Sequence, residues 1–261
     1  MIGTSVSYNI VMLGAGNVST HISRHLHSKG HRISCIYSRT LESASLLADE
    51  FGGIAATDLD EVPDQADYYI VCVPDQAVLS VLSHFKDWKG IWLHTAGALP
   101  IDLFKGILSR YGVLYPLQTL SKERGVDLSH TPFLVEGSSA EVTETVKKLA
   151  DNITTNVQEI DSEKRLIIHL AAVFANNFSN HMVHIAQRIL QENNLDLKLL
   201  DPILKETVRK IGLMGAGAAQ TGPALRKDQL AIQKHLELLK NHPEWEKLYT
   251  FVSRDIGNTR E

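Results

Sequence analysis

Tyr8-Asn9-Ile10-Val11-Met12-Leu13-Gly14-Ala15-Gly16-Asn17-Val18-Ser19 is a short apolar run that ends in glycines and passes directly into a helix-like stretch. Gly14 permits a tight turn out of a strand. Gly16 has no Cβ, so the backbone there can approach a pyrophosphate closely. The free N–H groups and the dipole at the following helix N-terminus favour that anion. Ser19 stands where the usual fingerprint has a third glycine, and it is small enough for close helix–strand packing. The pattern is short, but its setting fits: a strand precedes it, and a second strand follows one β-α-β unit later. Gly14, Ala15, Gly16, Asn17 and Val18 are therefore expected to bind a dinucleotide.

The second strand, Arg32-Ile33-Ser34-Cys35-Ile36-Tyr37, is followed by Ser38-Arg39-Thr40. A site for NAD usually carries an acid here, to accept from the ribose hydroxyls. A site for NADP carries an arginine near the 2′-phosphate. Two hydroxyls flanking a guanidinium suit a phosphate, because arginine offers a fixed charge and a planar fork of donors. Ser38, Arg39 and Thr40 thus point to NADP.

The alternation continues. Strands are expected at 8–13, 33–37, 54–56, 68–73, 90–94, 113–115, 132–136 and 157–160, with helices at 17–29, 41–51, 75–84 and 139–151. Tyr68-Tyr69-Ile70-Val71-Cys72-Val73 is apolar throughout, as in a strand buried on both faces of a parallel sheet. The fold class is α/β: a doubly wound, mostly parallel sheet, followed by an all-helical C-terminal domain. Ligands bind beyond the carboxyl ends of such strands. Cys72, Val73, Pro74, His94, Thr95 and Ala96 lie there and are expected to line the path to the nicotinamide. After Asp161 everything reads as helix (162–192, 196–217, 223–239 and 243–256). The boundary is placed there, giving a nucleotide domain at 1–160 and a helical domain at 161–261.

The 261 residues, 44% hydrophobic and 21% charged, suffice for two modest cores. A net charge of −4 makes nucleic acid an unexpected partner. No stretch has the length of a membrane span, and the chain runs from a few polar residues into its first strand without the pattern of a signal peptide. Cys35 and Cys72 both fall in expected strands and read as reduced core residues, so the expected location is cytoplasmic.

In the helix that begins near Ser162, the run Leu166 to Ala175 is apolar almost all round, so the helix is expected to be buried. It nevertheless carries His169, Asn176, Asn180 and His184 within a sector of roughly 80° at about 100° per residue, with Asn177 at its edge. Such a stripe needs partners. They are either a ligand or an internal hydrogen-bond network at a seam, such as a dimer interface. The cofactor site upstream favours the ligand. His21 and His25 lie four apart on the first helix and read as its solvated face. Gly212, Gly215 and Gly217 follow a helix, not a strand, and are expected to let two helices, or a helix and the substrate, pack closely. Thr221-Gly222-Pro223 starts a helix, with Arg226 and Asp228 in its first turns. Arg226 is a candidate for an anionic group; Asp228 suits the helix dipole.

Leu13-Gly14-Ala15-Gly16-Asn17-Val18, Val71-Cys72-Val73-Pro74-Asp75 and His94-Thr95-Ala96-Gly97 are widely shared motifs. Tyr115-Pro116-Leu117-Gln118-Thr119, His169 to Asn177 and Thr221 to Asp228 are more specific. With these, the chain resembles a family of Rossmann-like NADP oxidoreductases that carry a helical C-terminal domain of unknown function. Its N-terminal half also looks like pyrroline-5-carboxylate reductase, ketopantoate reductase and the deazaflavin-dependent NADP reductases. The resemblance implies NADP as cofactor, and a helical domain that supplies substrate contacts and a homodimer interface. Related hydroxyacid dehydrogenases use a lysine and an asparagine one turn apart. With Asn176 in the asparagine role, the lysine position is Ala172, so that mechanism does not transfer.

The expected activity is an NADP(H)-dependent oxidoreductase acting on a small carbonyl, hydroxy-acid or imine compound. His169 would be its general acid/base, since imidazole titrates near neutral pH. Asn176 and Asn180 would orient the substrate, and Gln118, Thr119 and Arg226 would contact it. The alternative is a non-catalytic NADP-binding sensor or scaffold.

Overall fold

In the computed structural model, residues 6–86 and 88–258 are described. The chain divides into two compact units, one running through Asn177 and the other starting at Phe178. The first unit is built on an eight-stranded sheet. Its strands are β1 (Asn9–Leu13), β2 (Arg32–Tyr37), β3 (Ile54–Ala56), β4 (Tyr68–Val71), β5 (Ile91–His94), β6 (Tyr111–Pro116), β7 (Phe133–Gly137) and β8 (Val157–Glu159). The spatial order is β3-β2-β1-β4-β5-β6-β7-β8. Every pairing is parallel except β6 with β7. The strand order reverses between β1 and β4, and this switch point opens a crevice at the carboxyl edge.

Helices α1 (Asn17–Ser28), α2 (Leu41–Ala48), α3 (Asp75–Leu82) and α4 (Ala140–Ala150) cover the two faces. Alternate residues of one strand serve opposite cores. Ile10 and Met12 pack with Ile22 and Leu26 of α1 and Val146 and Leu149 of α4. Val11 and Leu13 pack with Val78 and Leu82 of α3, beside Phe85 and Trp92. Both faces are dry, which is why these strands read as continuous apolar runs.

Helix α5 (Ser162–Ala172), expected to open the helical half, belongs to the sheet unit. A buried clamp holds it there. The fully buried Arg165 pairs with Glu136 of β7 at 2.6 Å and donates to the Leu99 carbonyl. Ser162 donates to the same carboxylate at 2.7 Å and accepts from the Ile101 N–H at 2.9 Å.

A π-helical turn, Val173–Phe178, follows α5 and leads to α6 (Ser179–Glu192). The second unit comprises α6 together with α7 (Asp201–Met214), α8 (Ala216–Ala219), α9 (Pro223–Arg226), α10 (Gln229–Leu239) and α11 (Pro243–Asn258). Pro202 sits in the first turn of α7, where its missing N–H costs nothing. The expected helices 196–217 and 223–239 each break where φ turns positive, at Gly215 (+81°) and Lys227 (+57°).

Three expectations need correction. The run from Leu166 is not buried within the chain: Leu166, Ile167 and Leu170 are 48%, 67% and 56% exposed. His21 and His25 are not a solvated face. His21 is buried and its Nε2 meets the Ser121 carbonyl at 3.0 Å, while the Leu128 N–H donates to His25 Nε2 at 3.4 Å. Together they pin the loop after β6 onto α1. A Cβ at Gly212, Gly215 or Gly217 would meet nothing within 4 Å, so no close packing between helices of this chain requires glycine there. Gly215 is instead required by its φ. Among the described residues, no helix is long and apolar enough to cross a membrane.

Candidate functional site

Two clefts lie at the carboxyl edge of the sheet. The first is lined by Gly14, Ala15, Gly16, Tyr37, Ser38, Arg39, Ser43, Cys72, Val73 and Pro74, among others. Gly14 is obligatory: its φ is +128°, and a Cβ would stand 2.5 Å from the Cys72 carbonyl oxygen. Gly16 caps α1 with no side-chain hydrogen bond, which leaves the first-turn N–H groups available to an anion. Arg39, Ser38 and Ser43 gather at the far end with no carboxylate among the lining residues. This donor set fits a phosphate on the ribose, and so fits NADP. Thr40 stands behind it, its hydroxyl donating to Ser43 Oγ at 2.9 Å. The sequence alone did not single out Ser43; its signal is a hydroxyl in the first turn of the helix that follows Arg39.

The second cleft, about 480 Å³, adjoins the same α1 terminus. Asn17, Val18, Thr95, Tyr115, Gln118, Thr119, His169, Asn176 and Asn177 line it, with several apolar neighbours. Its centre is a pair of rings. Tyr115 Oη and His169 Nδ1 are 3.0 Å apart, with the rings edge to face at 81°. Gly97 makes room for them: a Cβ there would fall 2.5 Å from His169 Nδ1 and 3.0 Å from Tyr115 Cζ. Burial raises the Tyr115 pKa, and the Arg165 charge opposes that shift. Tyr115 is the residue that sequence reasoning missed as part of the site. It sits one position before the end of β6 and reads as an ordinary strand residue.

A π turn interrupts the helix that carries the polar stripe. Widening the helix by one residue per turn rotates the downstream side chains out of their α-helical phase. Asn176 and Asn177 line the cleft with His169, whereas Asn180 and His184 lie on α6 in the other unit. Arg226, on α9, is exposed in that unit as well, and Asp228 N-caps α10 by accepting from the Ala231 N–H at 3.1 Å. Of the strand-end residues, Cys72, Val73 and Pro74 line the first cleft and Thr95 the second. His94 lines neither. Its ring is fully buried, stacks on Phe104 and accepts from the Ala96 N–H at 3.2 Å. Burial and the nearby Arg165 charge push its pKa down to about 3. It is a neutral core ring, and the expectation that it touches cofactor is corrected. Ala96 serves as its hydrogen-bond donor.

A doubly wound sheet with a glycine loop at its switch point and an arginine beyond β2 defines a dinucleotide-binding α/β protein. Comparison with known proteins narrows this. Residues 9–93 match a family described as NADP oxidoreductase coenzyme F420-dependent, and residues 131–256 match a domain of unknown function, DUF2520. The solved structure of "putative NADP oxidoreductase BF3122" from Bacteroides fragilis is 39% identical over 96% of this chain and 98% of its own, with a TM-score of 0.91. The chain belongs to that family of NADP oxidoreductases, and NADP is its cofactor.

More distant structures share the fold. 1-Pyrroline-5-carboxylate reductase from Streptococcus pyogenes is 14% identical over 97% of this chain and 99% of its own, with a TM-score of 0.62. A reductive aminase from Aspergillus terreus, in complex with NADPH and ethyl-5-oxohexanoate, is 15% identical over 98% and 97%, with a TM-score of 0.71. The chain spans 39% of the length of the first curated relatives it matches, over 129 residues.

Proposed function

We propose that this protein is an NADP(H)-dependent reductase of a small carbonyl or imine compound, with His169 as general acid/base. The observation that carries the reading is the His169–Tyr115 pair, set in a cleft that shares the α1 terminus with the dinucleotide loop. The fold shared with a pyrroline carboxylate reductase and a keto-ester-bound reductive aminase supports the substrate class. NADPH, when bound, supplies the hydride. Gly14 to Val18 hold the pyrophosphate, and Arg39 with Ser38, Thr40 and Ser43 holds the 2′-phosphate. Cys72, Val73 and Pro74 border the dinucleotide, and Thr95 lies nearer the reacting end. His169 provides the proton, Asn176 orients the substrate, and Gln118 and Thr119 contact it from the loop after β6. Asn180 and Arg226 enter this scheme only as contributions of the helical unit. The exposed apolar residues of α5 support a homodimer as the working form.

The test is NADPH oxidation with a panel of aliphatic aldehydes, cyclohexanone and the cyclic imine 1-pyrroline. Turnover with at least one class is expected, together with loss of turnover in His169→Ala at unchanged NADPH affinity. Tight NADPH binding with no turnover across the panel would favour the sensor reading instead.

A further inference from the structure

We infer that the Tyr115 hydroxyl, not the His169 ring directly, delivers the proton to the substrate, with His169 as the reservoir behind it. This rests on the reductase reading and adds a catalytic residue to it. Three observations carry it. Nδ1 of His169 lies 3.0 Å from Tyr115 Oη, hydrogen-bond distance, so either atom can donate to the other according to the charge of the ring. The Nδ1 edge of the ring lies against Gly97, and Tyr115 Oη is the hydrogen-bond partner of that nitrogen, while both side chains line the cleft. Tyr115 itself lines that cleft beside Thr95, Asn17 and Val18, next to the dinucleotide loop.

The charged groups around the pair are few. Arg165, one turn before His169 on α5, is the charge acting on Tyr115, and it is itself paired with Glu136. Burial disfavours a phenolate, so Tyr115 acts by passing a proton on, not by losing one outright.

Atoms and electrons balance in this step. The hydride brings two electrons to the substrate carbon, and the C=O or C=N π pair moves onto the heteroatom. That atom takes the hydroxyl proton of Tyr115, breaking the O–H bond. The proton on Nδ1 of the imidazolium replaces it. NADPH is oxidised, the substrate is reduced, Tyr115 ends as it began, and His169 ends neutral. A proton from bulk solvent then restores the imidazolium, so each turnover consumes one NADPH, one substrate and one solvent proton.

The relay demands that Tyr115 reverse its hydrogen bond when His169 changes charge: donor to neutral imidazole, acceptor from imidazolium. Infrared spectroscopy of protein labelled with 13C at the tyrosine Cζ reads this without substrate. The Tyr115 C–O band, assigned by its loss in Tyr115→Phe, is expected to shift as pH is lowered across the range in which the protein stays folded. The shift is expected to vanish in His169→Gln. A pH-independent band would overturn the relay.

Turnover supplies the second arm, using the fastest compound of the aldehyde, cyclohexanone and 1-pyrroline panel. Tyr115→Phe should lose roughly 10²-fold or more in kcat while its thermal midpoint and NADPH affinity stay put. Solvent isotope mixtures should give a bowed proton inventory in the wild type, from two protons in flight. Retained kcat in Tyr115→Phe would remove the relay and leave the reductase reading intact. Absence of turnover in the wild type would remove the reductase reading, and the infrared switch would still decide the hydrogen-bond reversal.

Discussion

Arg39 bears the choice between two cofactors that differ by one phosphate. Its guanidinium is exposed at the end of the dinucleotide cleft, with Ser38 and Ser43 beside it. A charge-assisted hydrogen bond contributes about 1.5–3 kcal/mol. Arg39→Ala is therefore expected to weaken NADPH binding roughly ten- to a hundredfold and NADH binding hardly at all; titration of protein fluorescence with each cofactor checks this. Equal losses would remove the 2′-phosphate role. His94 makes a different demand. An unfolded imidazole takes a proton near 6.5, but the folded ring resists one until about 3. The unfolded state thus binds the extra proton over that interval. Stability from this residue is complete above about pH 6.5 and declines as pH falls toward 3, by at most about 1.4 kcal/mol per unit. Urea unfolding at pH 7 and about pH 5 should show the wild type losing more stability than His94→Asn, whose amide oxygen can still accept from Ala96. Parallel losses would mean that another group controls the acid limb.

The central β-strands were readable because they are apolar enough to be buried on both faces, and the glycine loop was readable because its backbone needs leave few residue choices. Tyr115 and the register of the asparagines were not. A helical wheel drawn at α-helical pitch assumes no π turn, and Val173–Phe178 breaks that assumption. His21 was misread for a related reason: its partner, the Ser121 carbonyl, lies 100 residues away, and no local pattern announces it. Arg165 is equally silent in sequence, an arginine in the first turn of a helix, yet it fixes α5 against β7. Breaking a buried pair by removing one partner costs about 3–5 kcal/mol, because the other charge is left unpaired. Arg165→Met should cost that much in chemical denaturation. Adding Glu136→Leu should recover part of it. The double variant should still fail to reduce substrate, since α5 no longer holds His169 over Gly97. Full activity in the double variant would show that the clamp serves stability alone.

At the scale of the whole molecule, the exposed apolar surface is the feature that one chain does not resolve. Leu166, Ile167 and Leu170 project from α5 at 48%, 67% and 56% exposure. In the helical unit, Val208 and Leu213 of α7 are 73% and 71% exposed. Soluble monomers seldom leave so many large apolar side chains in water, and burying each fully would contribute about 1.5–3 kcal/mol. A helix apolar all round is a buried helix whose cover comes from elsewhere, and a second copy of the same chain supplies an apolar surface of the same kind. Sedimentation velocity at micromolar concentration should therefore give a dimer, and the thermal midpoint should rise with protein concentration, as mass action requires. Leu170→Glu would place a charge in the centre of the covered face. It should yield a monomer of lower midpoint that no longer depends on concentration, while the dinucleotide cleft, built wholly within the sheet unit, keeps its affinity for NADPH. A wild-type monomer with a concentration-independent midpoint would leave α5 without a second copy as its cover and would withdraw the homodimer from the proposed function.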